Sequence, residues 1–190
     1  MPAGGYRDPV IADQGNPRGP DRALRLRPLR PDDEAAFLAG HAAMAAEGLS
    51  FGLGLEPGMR WSAYLETLAG HQAGVGLPAG WVPSTLLVAE VAGEIVGRSS
   101  IRHALTDYLQ REGGHIGYSV LPVHRRRGYA TEILRQSLVI ARAVGVDRVL
   151  VTCDDSNIGS RAVIEACGGR LGNVAESAVE ESRIRRYWID

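Results

Sequence analysis

The hydrophobic rhythm of the chain changes several times, and each change marks an element. Leucine and arginine alternate through residues 23–29 (ALRLRPL), the period of a half-buried strand. Pro31, followed by Asp32, Asp33 and Glu34, starts a helix with acids at the positive end of its dipole, and the Ala-rich segment behind it ends by Gly48. Residues 49–58 hold glycines and a proline and read as a loop. Trp61, Leu65 and Leu68 then recur at helical spacing to Gly70, and residues 74–83 form a second Gly/Pro connector carrying Trp81. That tryptophan either lines a cleft or plugs a gap; packing is the commoner fate of so large a ring.

From Ser84 the period becomes two. Strands are predicted at 85–91 and 95–105, joined through Ala92-Gly93-Glu94 as a hairpin, with a third at 115–121 after a short polar helix or loop at 106–112. An amphipathic helix follows at 128–144. The apolar run RVLVTC (148–153) suits a buried strand, and a second helix at 158–166 stops at Gly168-Gly169. Short strands at 170–174 and 184–189 close the chain. The predicted class is α+β, a mixed central sheet flanked by helices.

Residues 1–22 are rich in Gly, Pro and charge without periodicity, and read as a flexible tail before one domain at 23–190. With 190 residues, 45% of them apolar, the chain is long enough to bury a core without staples. A net charge of -1 gives no reason to expect nucleic acid or an anionic membrane as partner. All the basic side chains are arginine, a bias that with the abundant Ala and Gly points to a GC-rich bacterial genome. Cys153 and Cys167 are too few for a disulfide framework and lack metal-ligand spacing, so no metal is expected. No secretory signal and no run of roughly 20 apolar residues is visible, so the expected compartment is the cytoplasm.

The candidate chemistry concentrates in Gly113–Ile133, GGHIGYSVLPVHRRRGYATEI. A helix beginning after Gly128 leaves about four N–H groups without intrahelical partners. Gly128 permits close backbone approach, Ala130 keeps the first turn narrow, and Arg125, Arg126 and Arg127 add charge suited to phosphate oxygens. The same residues also fit a solvated arginine cluster capping a strand-to-helix turn. G-x-x-x-x-G-K-[ST] is excluded because the chain has no lysine, and no G-x-G-x-x-G follows a strand. Gly117-Tyr118-Ser119-Val120-Leu121 lacks the second glycine of a nucleophile elbow and lies within a strand, which argues against a serine hydrolase.

Arg125-Arg126-Arg127-Gly128-Tyr129-Ala130 resembles the [Q/R]-x-x-G-x-[G/A] signature of the GNAT N-acetyltransferases, here placed after a strand and opening a helix. LRLRPLRPDD, GEIVGRSSIRHAL, GGHIGYSVLP, VLVTCDDSNIGSRAVIEACGG and RRYWI extend the likeness, to a bacterial subgroup labelled only as acetyltransferases, over residues 23–190. The resemblance implies the GNAT fold, acetyl-CoA as donor, an amine acceptor, direct attack on the thioester and, in many relatives, a homodimer. It places the pyrophosphate on the N–H groups of Arg126 to Ala130, with Thr131 adding a hydroxyl. Leu121 and Val123 would meet the pantetheine arm, and an N–H at Val120 or Leu121 would polarise the thioester. Asn157 would bond the same arm, a role its alternative as helix N-cap does not exclude, and Ser160 or Arg161 would contact the phosphate region.

Family members commonly carry a tyrosine, as acid for the departing thiolate, seven residues after the asparagine. Here that position is Ile164, so the acid is open, with Tyr118 a candidate. His115 lies where many relatives carry a glutamate base, and imidazole titrates near neutrality; its alternative is a histidine bonded to a neighbouring strand. By alternation His115, Gly117 and Ser119 share one strand face, and Ile116, Tyr118 and Val120 the other. A CoA-binding sensor with little catalysis is the alternative function, favoured by the missing tyrosine. The acceptor cleft is expected at the loops 48–58 and 74–83 and the C-terminal strands, where Glu176, Glu180 and Glu181 would either attract a cationic amine or form a solvated loop.

Overall fold

A computed structural model describes residues 23–178 and 181–190, so the expected tail at 1–22 and Glu180 lie outside the described residues. The chain runs β1 (Arg25–Arg27), α1 (Glu34–Ala45), α2 (Trp61–Ala73), β2 (Ser84–Val91), β3 (Glu94–Arg102), β4 (Ile116–Val120), α3 (Tyr129–Ala143), β5 (Val149–Asp154), α4 (Ile158–Ala166), β6 (Arg170–Glu176) and β7 (Arg183–Ile189). A single π-turn at Leu109–Gly113 and short 3-10 turns at Pro31–Asp33 and Pro122–His124 join them.

The strands form two antiparallel sheets, β1-β2-β3-β4 and β5-β7-β6. Period-two alternation along β2 divides its side chains between two cores. Leu86 and Val88 pack with Phe37 and Met44 of α1 and with Trp61 and Tyr64 of α2. Leu87 packs on the other side, with Ile116 and with Leu134, Leu138 and Ala141 of α3. The α3 residues recur at helical spacing, which is why that helix lies flat on the sheet. Ser137 falls inside the same stripe and is satisfied there, donating to the Ile133 carbonyl at 2.6 Å and pairing with Ser99 Oγ at 2.7 Å. Near the start of the described chain, Arg27 binds Asp33 and Glu90, each at 2.6 Å, and ties β1 to β2 and to the turn before α1. Bonding to Arg27 holds both carboxyls below their usual range.

Among the described residues, the backbones of the two sheets are joined just ahead of β4. His115 N–H donates to the Leu150 carbonyl at 2.7 Å, and Leu150 N–H donates to His115 Nδ1 at 2.9 Å. Gly114, at φ +62°, makes this approach possible: a Cβ there would stand 2.6 Å from the Leu150 carbonyl oxygen. Beyond this junction no strand pairing joins β4 to β5, and the two sheets part. The expected strand at 95–105 ends early, at Arg102, because the chain turns away into the π-turn, whose Gly113 and Gly114 carbonyls accept from Arg102 Nη1.

Candidate active site

The parting of the sheets creates a cavity of about 640 Å³ between the end of β4, the N-terminus of α3 and the N-terminus of α4. At its α3 end the chain passes through two left-handed residues, Arg126 at φ +64° and Gly128 at φ +79°. Left-handed conformations of this kind set consecutive N–H groups into an anion-binding concavity. The first helical bond is Glu132 N–H to the Gly128 carbonyl, so the N–H groups of Gly128 to Thr131 precede the α3 ladder. A Cβ built on Gly128 meets no atom within 4 Å, so its open side faces space rather than protein.

The three arginines do not act alike. Arg125 is bound to Glu47 at 2.5 Å and donates from Nε to the Val120 carbonyl, clamping α1 to the end of β4. Arg127 donates to the Val123 carbonyl at 3.2 Å and lines a second cavity behind the turn, beside Leu24 and Val96. Arg126 makes no ion pair among the described residues and lines the main cavity. Of the residues expected to bind the donor, Val120, Arg125, Arg126, Gly128, Tyr129, Ala130, Thr131, Asn157 and Ser160 line this cavity.

Four expected residues do not. Leu121 is buried under α1, and its N–H donates to the Val96 carbonyl at 2.9 Å, so that donor is taken. Val123 is exposed with its carbonyl accepting from Arg127, and Arg127 itself turns to the other side. Arg161 leans back on the Asp155 carbonyl at 3.5 Å. Met44, Ser119, Gly159, Ala162 and Val163 line the cavity without having been expected from the sequence, and Leu49 and His124 line it as well. Met44 and Leu49 come from 70 or more positions earlier in the chain, and no local motif signals such a contact.

At the α4 end Asn157 serves as N-cap, its Oδ1 accepting from Ser160 N–H at 2.9 Å, which leaves its amide Nδ2 as the donor available to a ligand. Ser160 Oγ lies 2.8 Å from the Tyr118 hydroxyl, which reaches across from β4. Burial pushes the Tyr118 phenol up to about 12, so it stays protonated near neutrality. Ile164 is fully buried in the core. A phenol thus faces the start of α4 from β4, while the α4 position itself carries an aliphatic side chain.

His115 is placed outside the cavity, and the expectation that it is a general base is corrected here. Its Nδ1 lone pair accepts from Leu150 N–H, its side chain is buried, and burial with the charge of Arg102 pulls its pKa below the ordinary imidazole value. The ring is a strand-joining group. The acceptor-side expectations also contract. Trp81 packs at a tilt against His71, with ring centroids 5.3 Å apart, and no residue of 74–83 lines the cavity; from the loop 48–58 only Leu49 does. Glu176 is paired with Arg183 at 3.7 Å. Among the described residues there is no cluster of three or more His, Cys, Asp or Glu able to hold a metal ion, and no helix long and apolar enough to cross a membrane.

A family model described as an acetyltransferase (GNAT) domain matches residues 23–170. Among solved structures, RimJ of Mycobacterium smegmatis in complex with CoA-disulfide is 25% identical with a TM-score of 0.65, covering 90% of this chain and 83% of that one. RimL, a ribosomal L7/L12 alpha-N-protein acetyltransferase in complex with coenzyme A, is 16% identical with a TM-score of 0.62 over 87% of this chain and 93% of its own. A GNAT-family acetyltransferase of Streptococcus pneumoniae is 17% identical with a TM-score of 0.61, over 88% and 99%. The last two are alike in fold alone. No curated protein matches the sequence. A signature turn opening a helix, two sheets parting at one histidine, and a family model covering most of the chain agree: the protein is a member of the GNAT acetyltransferase family.

Proposed function

We propose that the cavity binds acetyl-CoA and delivers its acetyl group to a primary amine. The observation that carries this is continuity. One cavity runs from the left-handed turn at Arg126 and Gly128 to the Tyr118–Ser160 pair, a path that suits a ligand with phosphates at one end and a thioester at the other. The N–H groups of Gly128 to Thr131 and the Arg126 guanidinium hold the pyrophosphate. Asn157 Nδ2 donates to the pantetheine arm. When bound, acetyl-CoA supplies an activated acyl group that an amine attacks directly.

The chain's own residues then have three tasks. Val120, the remaining expected backbone donor, polarises the thioester carbonyl where negative charge develops. Tyr118 gives its proton to the departing sulfur and is reprotonated from solvent, with the hydroxyl of Ser160 as the relay. A thiolate with a pKa near that of cysteine leaves tolerably even unaided, so this donation assists rather than decides the reaction. The acceptor enters over Met44 and Leu49, on the α1 side of β4. Its surplus proton passes to solvent at the open mouth, since no Asp or Glu is among the described residues that line the cavity.

The test is release of free thiol from acetyl-CoA with a panel of primary amines, followed by mass spectrometry of the acetylated product. Amine-dependent thiol release supports the reading. Tight acetyl-CoA binding with no release for any amine favours instead a sensor of the same fold, the function that Ile164 in place of the usual tyrosine would suit.

A further inference from the structure

One buried charge on the acceptor side of the sheet has no counter-ion. Arg98 sits mid-strand in β3 at 8% exposure. Among the described residues its guanidinium donates only to carbonyl oxygens, Gly117 at 3.2 Å and Ser50 at 3.0 Å, and its Nε is buried without a partner. Among the described residues it makes no ion pair. Tyr64, the acidic group acting on it, is a buried phenol whose pKa is pushed well above its ordinary value. Arg102, four residues on, adds a second positive charge rather than cancelling the first. Burial and Arg102 lower the Arg98 pKa to about 10, which still leaves it charged at neutral pH. A buried cation bonded only to neutral dipoles is a standing electrostatic cost unless an anion joins it.

Ser119 stands directly opposite Arg98 in the β3–β4 register, so the two side chains are neighbours on one face. Ser119 Oγ is likewise buried without a partner among the described residues, and Ser119 lines the cavity. Among the described residues that line the cavity there is no Asp or Glu, so a cationic acceptor finds no counter-ion there. An anionic one finds a hydroxyl with a guanidinium behind it. Met44 and Leu49 form the facing apolar wall, and a low dielectric strengthens charge interactions across it.

We propose that the acceptor carries a carboxylate beside its amine, received by Ser119 with Arg98 behind it; this rests on the reading of the cavity as the acetyl-transfer site. An ionised carboxylate only accepts hydrogen bonds, which matches the orphaned Ser119 hydroxyl, with the Arg98 charge behind it. The same positive field opposes an ammonium ion beside Ser119, so the amine is favoured in its neutral, nucleophilic form without a carboxylate base in the cavity.

The carboxylate has two sources, the α-carboxylate of a free amino acid or the side chain of an acidic N-terminal residue, and paired probes distinguish them. L-alanine is compared with L-alaninamide, and Asp-Ala-amide with Asn-Ala-amide, each with saturating acetyl-CoA. In at least one pair kcat/KM for the carboxylate should exceed that of its amide at least tenfold, and the winning pair names the source. Arg98→Gln should bring that ratio close to one, Arg98→Lys should restore part of it, and all variants should keep the rise in melting temperature on adding acetyl-CoA. Should Arg98→Gln fail to fold, Ser119→Ala should reduce the ratio at least threefold. Equal rates within both pairs, a preference for the amides, or a preference that survives these substitutions overturns the proposal.

If none of the four probes is acetylated, acetyl transfer to such amines fails as a reading, yet the subsite is still read out by melting of the CoA-loaded protein. Stabilisation by the carboxylate member alone, lost in Arg98→Gln, then supports the subsite. Equal stabilisation by carboxylate and amide overturns it.

Discussion

His115 and Leu150 bond each other twice, amide to carbonyl at 2.7 Å and imidazole Nδ1 to amide at 2.9 Å, across 35 positions of sequence. This is the last bond between the two sheets before they part to form the cavity. It also fixes the tautomer, because an Nδ1 that accepts cannot carry the proton.

Stability should therefore fall in mild acid. The folded-state pKa of His115 is depressed, so the unfolded chain takes up the proton first as pH drops. The contribution is fully present above the unfolded value of about 6.5 and is lost as pH falls from there through the folded pKa. His103 is depressed in the same direction by burial, so some slope remains when His115 is replaced. His115→Asn, whose Oδ1 can take the Leu150 N–H, should flatten the melting profile between pH 7 and 5. His115→Ala should cost about 1–3 kcal/mol at neutral pH for the stranded amide, plus lost packing. Chemical denaturation across that pH range checks both.

Asn157 is assigned two jobs by its two ends, and two substitutions separate them. Asn157→Ala should lower stability by about 1 kcal/mol through the lost cap and should weaken acetyl-CoA binding as well. Asn157→Asp keeps an acceptor for Ser160 N–H and favours the helix dipole, yet lacks the amide donor. It should retain wild-type stability while losing affinity for acetyl-CoA, measured by calorimetric titration.

Tyr118→Phe removes the proposed proton donor and little else, since the ring stays in the core. We expect kcat to fall at least about tenfold, toward the low end of general-acid contributions because thiolate is a fair leaving group. The KM for acetyl-CoA should stay within a factor of two or three. A thioester analogue with a more acidic thiol should recover much of the loss, in steady-state assays of both enzymes.

Much of the frame was legible in the sequence because it is local. The helix at 158–166 is legible in the sequence from its apolar spacing and the Gly168-Gly169 stop, and the structure selects Asn157 as its cap. The turn at Arg125–Gly128 is legible as a helix opening after a glycine and three arginines, which by itself fits a solvated cap as well as an anion site and is narrowed by the resemblance of the six-residue signature. What escaped was set by distance in sequence. Three adjacent arginines look equivalent until Glu47 captures Arg125 and the Val123 carbonyl captures Arg127. Leu121 N–H looks free until Val96 pairs with it, and His115 looks catalytic until Leu150 occupies its lone pair. One signal was present and unread: Arg98, Ser99 and Ser100 lie inside a strand of otherwise buried residues, and buried polar side chains at such a place call for a partner.

The central claim is that acetyl-CoA lies on the turn at Gly128, and its most direct measurement is the stability of the wild type and of Gly128→Asp with acetyl-CoA present. Aspartate tolerates the left-handed backbone better than most residues and meets no protein atom there, so the variant should fold while placing a negative charge where a phosphate belongs. At 100 times its dissociation constant, acetyl-CoA should stabilise the wild type by about 2.7 kcal/mol and the folded variant not measurably. A wild type whose stability ignores acetyl-CoA, or a Gly128→Asp variant stabilised as much as the wild type, would contradict the account.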